Sequence, residues 1–337
     1  MKKFIQLALW AFLQVPAFCS STSLRVYTYD SLTGKNSFGE FLAESFLKKT
    51  GTKVEFISFG TAGEALNQIL IEGPKTKADL VMGVDELLFL RVQKKQLFEE
   101  VESASLKNLE SPFIKNRLDP SFVPFDYGFL AFVFDSSTTT LPSPIRLSTF
   151  SKWLTSKQKI ALQDPRTSSL GLEFLVWTYE SLGNQAKDFW KGISPFVLTF
   201  SPGWSGAYEL FLKKQVDFVL SYTTSPAYHS MREGKKNITS LLFSEGHFKQ
   251  VEGLAILKTS PQKDLARKFI ELVLSQEAQT QLPTFQWMYP ARAGVKLPKD
   301  FQEIPIPKPL KIDWTRVVSE RENWIKDWTY LLSQERK

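Results

Sequence analysis

Cysteine and histidine are almost missing from this chain of 337 residues: Cys19 is the one cysteine, and His229 and His247 are the two histidines. Cys19 lies in an N-terminal segment that reads as cleavable, so the remainder has no means of forming a disulfide, a thiolate metal site or a cysteine nucleophile. The histidines lack the short spacing of a zinc pair and read as satisfied structural residues. No P-loop and no GxGxxG follows a strand signal, and nothing resembles a nucleophile elbow, which argues against the common nucleotide-binding and hydrolase classes. Past the N-terminus no stretch is long and apolar enough to span a bilayer. The formal net charge of +7 is spread along the chain rather than clustered, which argues against a nucleic-acid partner.

What is present begins with a targeting signal. Lys2 and Lys3 precede an apolar run from Phe4 to Leu13, and Pro16 to Ser21 offers small residues for cleavage. This reads as a secretory signal peptide over 1–21, with a lipid anchor on Cys19 as the minor alternative. About 315 residues then remain, enough for two lobes of ordinary size.

Those residues alternate strand and helix signals, which predicts an α/β fold with a mostly parallel sheet covered on both faces. Strands are expected at Leu24 to Asp30, Val54 to Phe59 and Ala78 to Gly83, with helices after the first two. The aromatic segment Phe122 to Asp135 reads as a long strand passing between lobes, with Asp126 and Tyr127 near the cleft. A second α/β series follows, with a strand at Lys159 to Gln163, helices near Leu170 to Tyr179 and Gly206 to Leu212, and a strand at Val216 to Leu220. The chain is expected to return through Phe248 to Leu257, and two crossings imply a hinge. The expected division is lobe 1 over 22–122 and 240–337, including the C-terminal helices, and lobe 2 over 123–239. The apolar stripes Leu265, Phe269, Ile270, Val273 and Trp324, Ile325, Trp328, Leu331, Leu332 read as core packing.

Hydroxyls and aromatics gather where strands end. Ser221-Tyr-Thr-Thr-Ser225, Tyr228 and His229 follow one strand, where ligands of open α/β sheets bind. Gln163-Asp-Pro-Arg-Thr-Ser-Ser169 leaves a strand and enters a helix, so Thr167, Ser168 and Ser169 offer hydroxyls and unpaired N–H groups, either to an anion or as a plain helix cap. Trp204 opens another helix and Trp287 sits in a loop; with Tyr222 and Tyr228 they form a candidate aromatic clamp.

The same segments carry a family resemblance. Val26-Tyr-Thr-Tyr-Asp-Ser31, Lys77-Ala-Asp-Leu-Val-Met-Gly83, Phe122-Val-Pro-Phe-Asp-Tyr-Gly128, Gln163-Asp-Pro-Arg-Thr-Ser168, Ser221-Tyr-Thr-Thr-Ser-Pro-Ala-Tyr-His229, Phe243-Ser-Glu-Gly-His247 and Trp287-Met-Tyr-Pro290 resemble, in order, blocks of the periplasmic thiamine-binding proteins of bacterial ABC importers. The resemblance implies a two-lobed periplasmic binding protein fold of type II with two crossovers, no enzymatic activity and no cofactor. The implied ligands are thiamine, thiamine monophosphate and thiamine pyrophosphate, delivered by a monomer to an inner-membrane permease and its ATPase. The family's site maps onto Thr61, Ala62, Ser168, Ser169, Trp204, Tyr222, Thr223, Thr224, Ser225, Tyr228 and Trp287. At Thr61 other members carry an acid, and Asn36 to Phe38 stands where they carry a tryptophan. Aromatic faces attract a cationic thiazolium by roughly 0.5–2 kcal/mol each. Two rivals are a ferric-ion carrier of related fold, which would use tyrosinates such as Tyr222 and Tyr228, and a thiamine-cleaving transferase, which would need a cysteine nucleophile where the chain past the expected signal peptide has no cysteine.

Overall fold

The computed structural model describes residues 23–110, 113 and 118–335. Residues 1–21, read from sequence as a signal peptide, lie outside them, and Cys19 with them. Among the described residues, no helix is long and apolar enough to cross a membrane.

The first half is a βαβ array. Strand β1 (Leu24–Tyr29) leads through α1 (Phe38–Thr50) to β2 (Val54–Phe59), then through α2 (Ala62–Glu72) to β3 (Leu80–Asp85) and α3 (Glu86–Val92). These three strands are parallel in the order β2-β1-β3. Every residue of β3 is buried, as expected of a strand covered on both faces. Helix α1 starts where the Ser37 hydroxyl accepts the Glu40 N–H at 3.1 Å and stops at Gly51, whose left-handed φ of 73° suits glycine.

After the short β4 (Phe98–Glu99) comes β5 (Val123–Asp135), the spine of the molecule. Beyond it run β6 (Ile160–Gln163), α4 (Ser169–Leu182), α5 (Ala186–Ile193), β7 (Val197–Ser201), α6 (Trp204–Leu212), β8 (Phe218–Tyr222), α7 (Ser225–Glu233) and β9 (Ile238–Leu241). The chain returns in β10 (Lys249–Leu257), followed by α8 (Lys263–Val273), α9 (Gln276–Phe285), β11 (Tyr289–Pro290), α10 (Lys299–Gln302) and α11 (Trp314–Glu335). The near half of β5 pairs with β10, matching Gln250 to Gly128 and Glu252 to Asp126. Its far half pairs with β8, from Leu130 opposite Tyr222 to Phe134 opposite Phe218.

The sheet is therefore mixed rather than mostly parallel. A strand that leaves one lobe and a strand that comes back beside it must run in opposite directions, and β5 with β10 is antiparallel for that reason. The remaining order is β10-β5-β8-β6-β7, with β6 parallel to both its neighbours.

Two cores flank this spine. One gathers Leu24, Val26, Leu80, Val81, Leu254 and Phe269; the other is strongly aromatic, built on Phe132, Phe150, Phe174, Trp177 and Trp190. The last helix departs from the expected division. Val317, Trp324 and Trp328 of α11 belong to the second, aromatic core, with Trp324 stacked on Tyr179 at 4.9 Å and Trp328 edge-on to Phe200 at 5.0 Å. The apolar stripe was legible, but which lobe it covers depends on where the proline-rich connector runs. That connector pairs with the return crossing, His247 N–H donating to Lys308 O at 2.9 Å and Leu310 N–H to His247 O at 2.7 Å.

Candidate functional site

Several helices begin where their preceding strands end, and these ends converge on one cleft of about 370 Å³ between the two cores. Helix α2 starts at Thr61, whose Oγ1 accepts the Glu64 N–H at 3.1 Å. Helix α4 starts at Ser168, whose Oγ accepts the Gly171 N–H at 3.4 Å, so Ser168 serves as a cap. Helix α6 starts at Trp204 after Gly203, where no side chain caps the first turn. Exposed helix N-termini bring N–H groups and partial positive charge to the same space. The two sides touch at the mouth: Thr61 Oγ1 donates to Thr167 O at 3.4 Å, and Ser205 Oγ to Asp30 Oδ1 at 3.1 Å.

The cleft has aromatic walls. Trp204 stacks on Tyr208 at 4.7 Å and donates its Nε1 to Ser221 Oγ at 2.9 Å, so its ring is fixed from both sides. Ser221 in turn shares a hydrogen bond with Ser225 at 2.9 Å. Facing them, Trp287 meets Tyr228 edge-on at 5.1 Å and carries the Arg232 guanidinium 5.5 Å above its ring. Trp287 has φ of 61°, a conformation costly for a bulky side chain that places its ring against the cleft.

The structure brings Thr61, Ala62, Ser168, Ser169, Trp204, Tyr222, Thr224, Ser225, Tyr228 and Trp287 to the lining. Thr223 does not line it. Its side chain is wholly buried and its N–H donates to Phe129 O at 2.8 Å, because successive residues at the end of β8 turn to opposite faces. Asp126 and Tyr127, expected near the cleft, are also absent from the lining. Asp126 is fully buried beneath the floor, and Tyr127 stacks on Tyr289 at 5.3 Å on the other face of β5. Phe38, at the position of the expected family tryptophan, is core rather than cleft.

The floor was missed by sequence reasoning. It consists of Tyr29, Gln250, Glu252 and Gln286. Tyr222 donates its hydroxyl to Gln250 Oε1 at 2.6 Å, and Gln250 Nε2 donates to Glu173 Oε2 at 2.6 Å. Tyr29 donates to Glu252 Oε2 at 2.7 Å. Burial pushes the Glu252 carboxyl up to about 8. Burial likewise holds Glu173 and Asp126 well above the usual carboxylate range, with neighbouring acids adding to it. A signal for this floor existed: in Lys249-Gln-Val-Glu-Gly-Leu254, polar residues alternate within a buried strand, placing Gln250 and Glu252 on one face.

The histidines are structural. His229 binds Tyr208 OH at 2.9 Å through Nε2 and Glu233 at 2.9 Å through Nδ1. His247 donates from Nδ1 to Leu130 O at 2.6 Å and accepts the Phe243 N–H at Nε2, and burial pushes it down to about 4. No group of three or more potential metal ligands occurs among the described residues.

Comparison with known proteins gives a consistent result. Residues 29–280 match the family of bacterial extracellular solute-binding proteins. The thiamine-binding periplasmic protein of Salmonella typhimurium is 36% identical over 337 residues, covering 99% of this chain and 100% of that protein. Its counterpart in Escherichia coli is 36% identical over 315 residues, covering 92% and 94%. Among solved structures, a periplasmic thiamin binding protein superposes with a TM-score of 0.86 at 36% identity, covering 92% of this chain and 96% of that one. A ferric ion-binding protein of Pasteurella haemolytica reaches a TM-score of 0.76 at 18% identity, over 92% and 97%, which speaks to the fold alone.

Proposed function

The chain belongs to the bacterial extracellular solute-binding proteins, and from that premise we propose that it captures thiamine, and thiamine phosphates with it, as the binding component of an ABC importer. It is a carrier of the two-lobed type II fold, not an enzyme. The observation that carries the ligand reading is the cleft itself: two tryptophans on facing walls above a floor of acids and tyrosines. A flat aminopyrimidine joined to a permanently cationic thiazolium stacks on such walls and is drawn by such a floor. The capped starts of α2 and α4 and the open start of α6 offer N–H groups to a phosphate at the mouth. The curated relatives named thiamine-binding support the same choice.

The working compartment of the relatives is the periplasm, which fits the leader over 1–21 read as a signal peptide. We take the protein to act as a monomer whose lobes close on ligand and present the closed form to an inner-membrane permease and its ATPase. For the lobes themselves we propose a first lobe around 23–122 and 249–303 and a second around 123–248 and 304–335, the last helix going with the second core. A tryptophan-fluorescence titration with thiamine, thiamine monophosphate and thiamine pyrophosphate tests the ligand reading. Saturable quenching by at least one of them is expected, and no response to any of the three would defeat it.

A further inference from the structure

Beneath the cleft, acids are gathered, and no base among the described residues lies among them. Glu252 and Asp126 are direct partners across the β10 and β5 strands. Asp126 is fully buried, and neither of its carboxyl oxygens receives a hydrogen bond from a described residue. The groups facing Glu252 are Tyr29 from β1, Asp85 from β3, Asp126 from β5, Glu173 from α4 and Tyr222 from β8, all acidic or phenolic. Lys249, one position before Gln250, turns to the opposite face and lies 4.7 Å from the Phe113 ring centroid. No ion pair among the described residues involves Asp85, Asp126, Glu173 or Glu252.

Two neighbouring carboxyls removed from water and without a counter-cation cannot both be ionised. Asp126, the more deeply buried of the two, holds a proton toward Glu252, which gives one of its bare oxygens a partner, while Tyr29 donates to Glu252 Oε2. Glu252 also lines the cleft, whereas Asp126 lies behind it.

We infer that Glu252, like Asp126 behind it, is protonated in the ligand-free cleft and gives up its proton to solvent when a cationic ligand seats above it, Asp126 keeping its own and the ligand's positive charge replacing the proton lost. The inference rests on the cationic-ligand reading above. It makes Glu252 the selector for cations: a neutral ligand of the same shape leaves the proton in place, and an anion over the floor meets a carboxyl with no cation to pair it. Binding is then linked to pH. The bound state holds one proton fewer, so affinity rises with pH by up to about tenfold per unit until Glu252 is ionised in the free protein, and is level above that.

The test has two readouts on the mature protein. Infrared spectra of ligand-free protein at neutral and alkaline pH report neutral carboxyls directly, and Glu252→Gln assigns the Glu252 part by difference. Calorimetric titration with thiamine at pH 7 in two buffers of different ionisation enthalpy then counts protons released. The expected results are a neutral Glu252 carboxyl that disappears at alkaline pH, about one proton released per thiamine bound by the wild type, and none released by Glu252→Gln. Thiamine binding without proton release overturns this inference and leaves the thiamine reading standing. No thiamine binding strikes the thiamine reading instead; the infrared result then decides, a neutral Glu252 carboxyl upholding the resting protonation and an ionised one overturning the inference. Proton release and the loss of neutral-carboxyl signal at alkaline pH are both measured on the wild type, so a Glu252→Gln protein that fails to fold does not block the test.

Discussion

The walls and the floor of the cleft are built on opposite principles. The walls hold hydroxyls and aromatic rings at the ends of strands and starts of helices, each held by a hydrogen bond and most of these partners near in sequence: Thr61 by Glu64 N–H, Ser168 by Gly171 N–H, and Trp204 by Ser221 and the stacked Tyr208. The floor and the layer beneath it hold ionisable groups from β1, β3, β5, β10 and α4, and the partners lie far apart in sequence, as Tyr29 and Glu252 do. Walls can be altered one residue at a time. The floor is a network in which one displaced ring exposes several acids, so the largest effects should come from below.

Gly83 gives the sharpest case. It lies in β3 with φ of 85°, and an added Cβ would stand 2.2 Å from the Tyr29 ring. Gly83→Ala combines a strained backbone with overpacking against the residue that holds Glu252, and about 3–5 kcal/mol of stability should be lost. Urea unfolding measures it, and a loss below about 1 kcal/mol would show that Tyr29 is free to move and the floor is not one network.

The walls come next. Trp204→Ala and Trp287→Ala should each weaken thiamine binding by about 1–3 kcal/mol through lost stacking and apolar contact, with little effect on folding. Calorimetry is the right measurement, because each variant removes a fluorophore. Trp204 also loses its bond to Ser221, so it should be the costlier of the two. Unchanged affinity in both would place the ligand away from the walls.

How far each region could be read from sequence follows from the same contrast. The order of strands and helices, the long strand over Phe122 to Asp135 and the hydroxyls at helix starts are local patterns, and they were legible because a strand end or a cap is decided within a few residues. Thr223 was misjudged by one residue, since a period of two sends neighbours to opposite faces and no count of hydroxyls says which. Asp126 was noticed for its sequence neighbours, but its partner Glu252 becomes adjacent only when β10 folds back beside β5. The place of α11 was hidden for a similar reason: an amphipathic stripe records that Trp324 and Trp328 are buried, not which core receives them.

The floor also makes stability depend on pH in a direction opposite to that of a protein held by salt bridges. Glu252 in the floor is pushed up to about 8, and Glu86, outside the cleft lining, to about 7, both by burial. A carboxyl whose folded value is raised binds more protons folded than unfolded, so its contribution is greatest at low pH and declines as pH rises toward the folded value. His247, pushed down to about 4, acts the other way and only below its unfolded value near 6.5. Between pH 6.5 and 8 the acids act alone, and ligand-free protein should lose about 1 kcal/mol per pH unit. Glu252→Gln should flatten part of that slope. Stability that is level or rising with pH in this window would mean the floor acids are already ionised.

The smallest effect belongs to a single wall contact, Thr61. Its hydroxyl accepts the Glu64 N–H as the cap of α2 and donates across the mouth to Thr167 O at a long 3.4 Å. Thr61→Ala removes both, and the cap alone is worth about 0.5–2 kcal/mol of stability. Thr61→Ser keeps both bonds and should match the wild type, whereas Thr61→Asp keeps the cap, loses the donor to Thr167 and adds a charge at the mouth. Because the thiazolium cation of thiamine would then have a carboxylate above as well as below, Thr61→Asp should bind thiamine a few-fold more tightly and thiamine pyrophosphate more weakly, the anionic tail being repelled. Equal changes for both ligands would show that the mouth does not meet the phosphate end, and would move that end of the ligand toward Ser168 and Ser169.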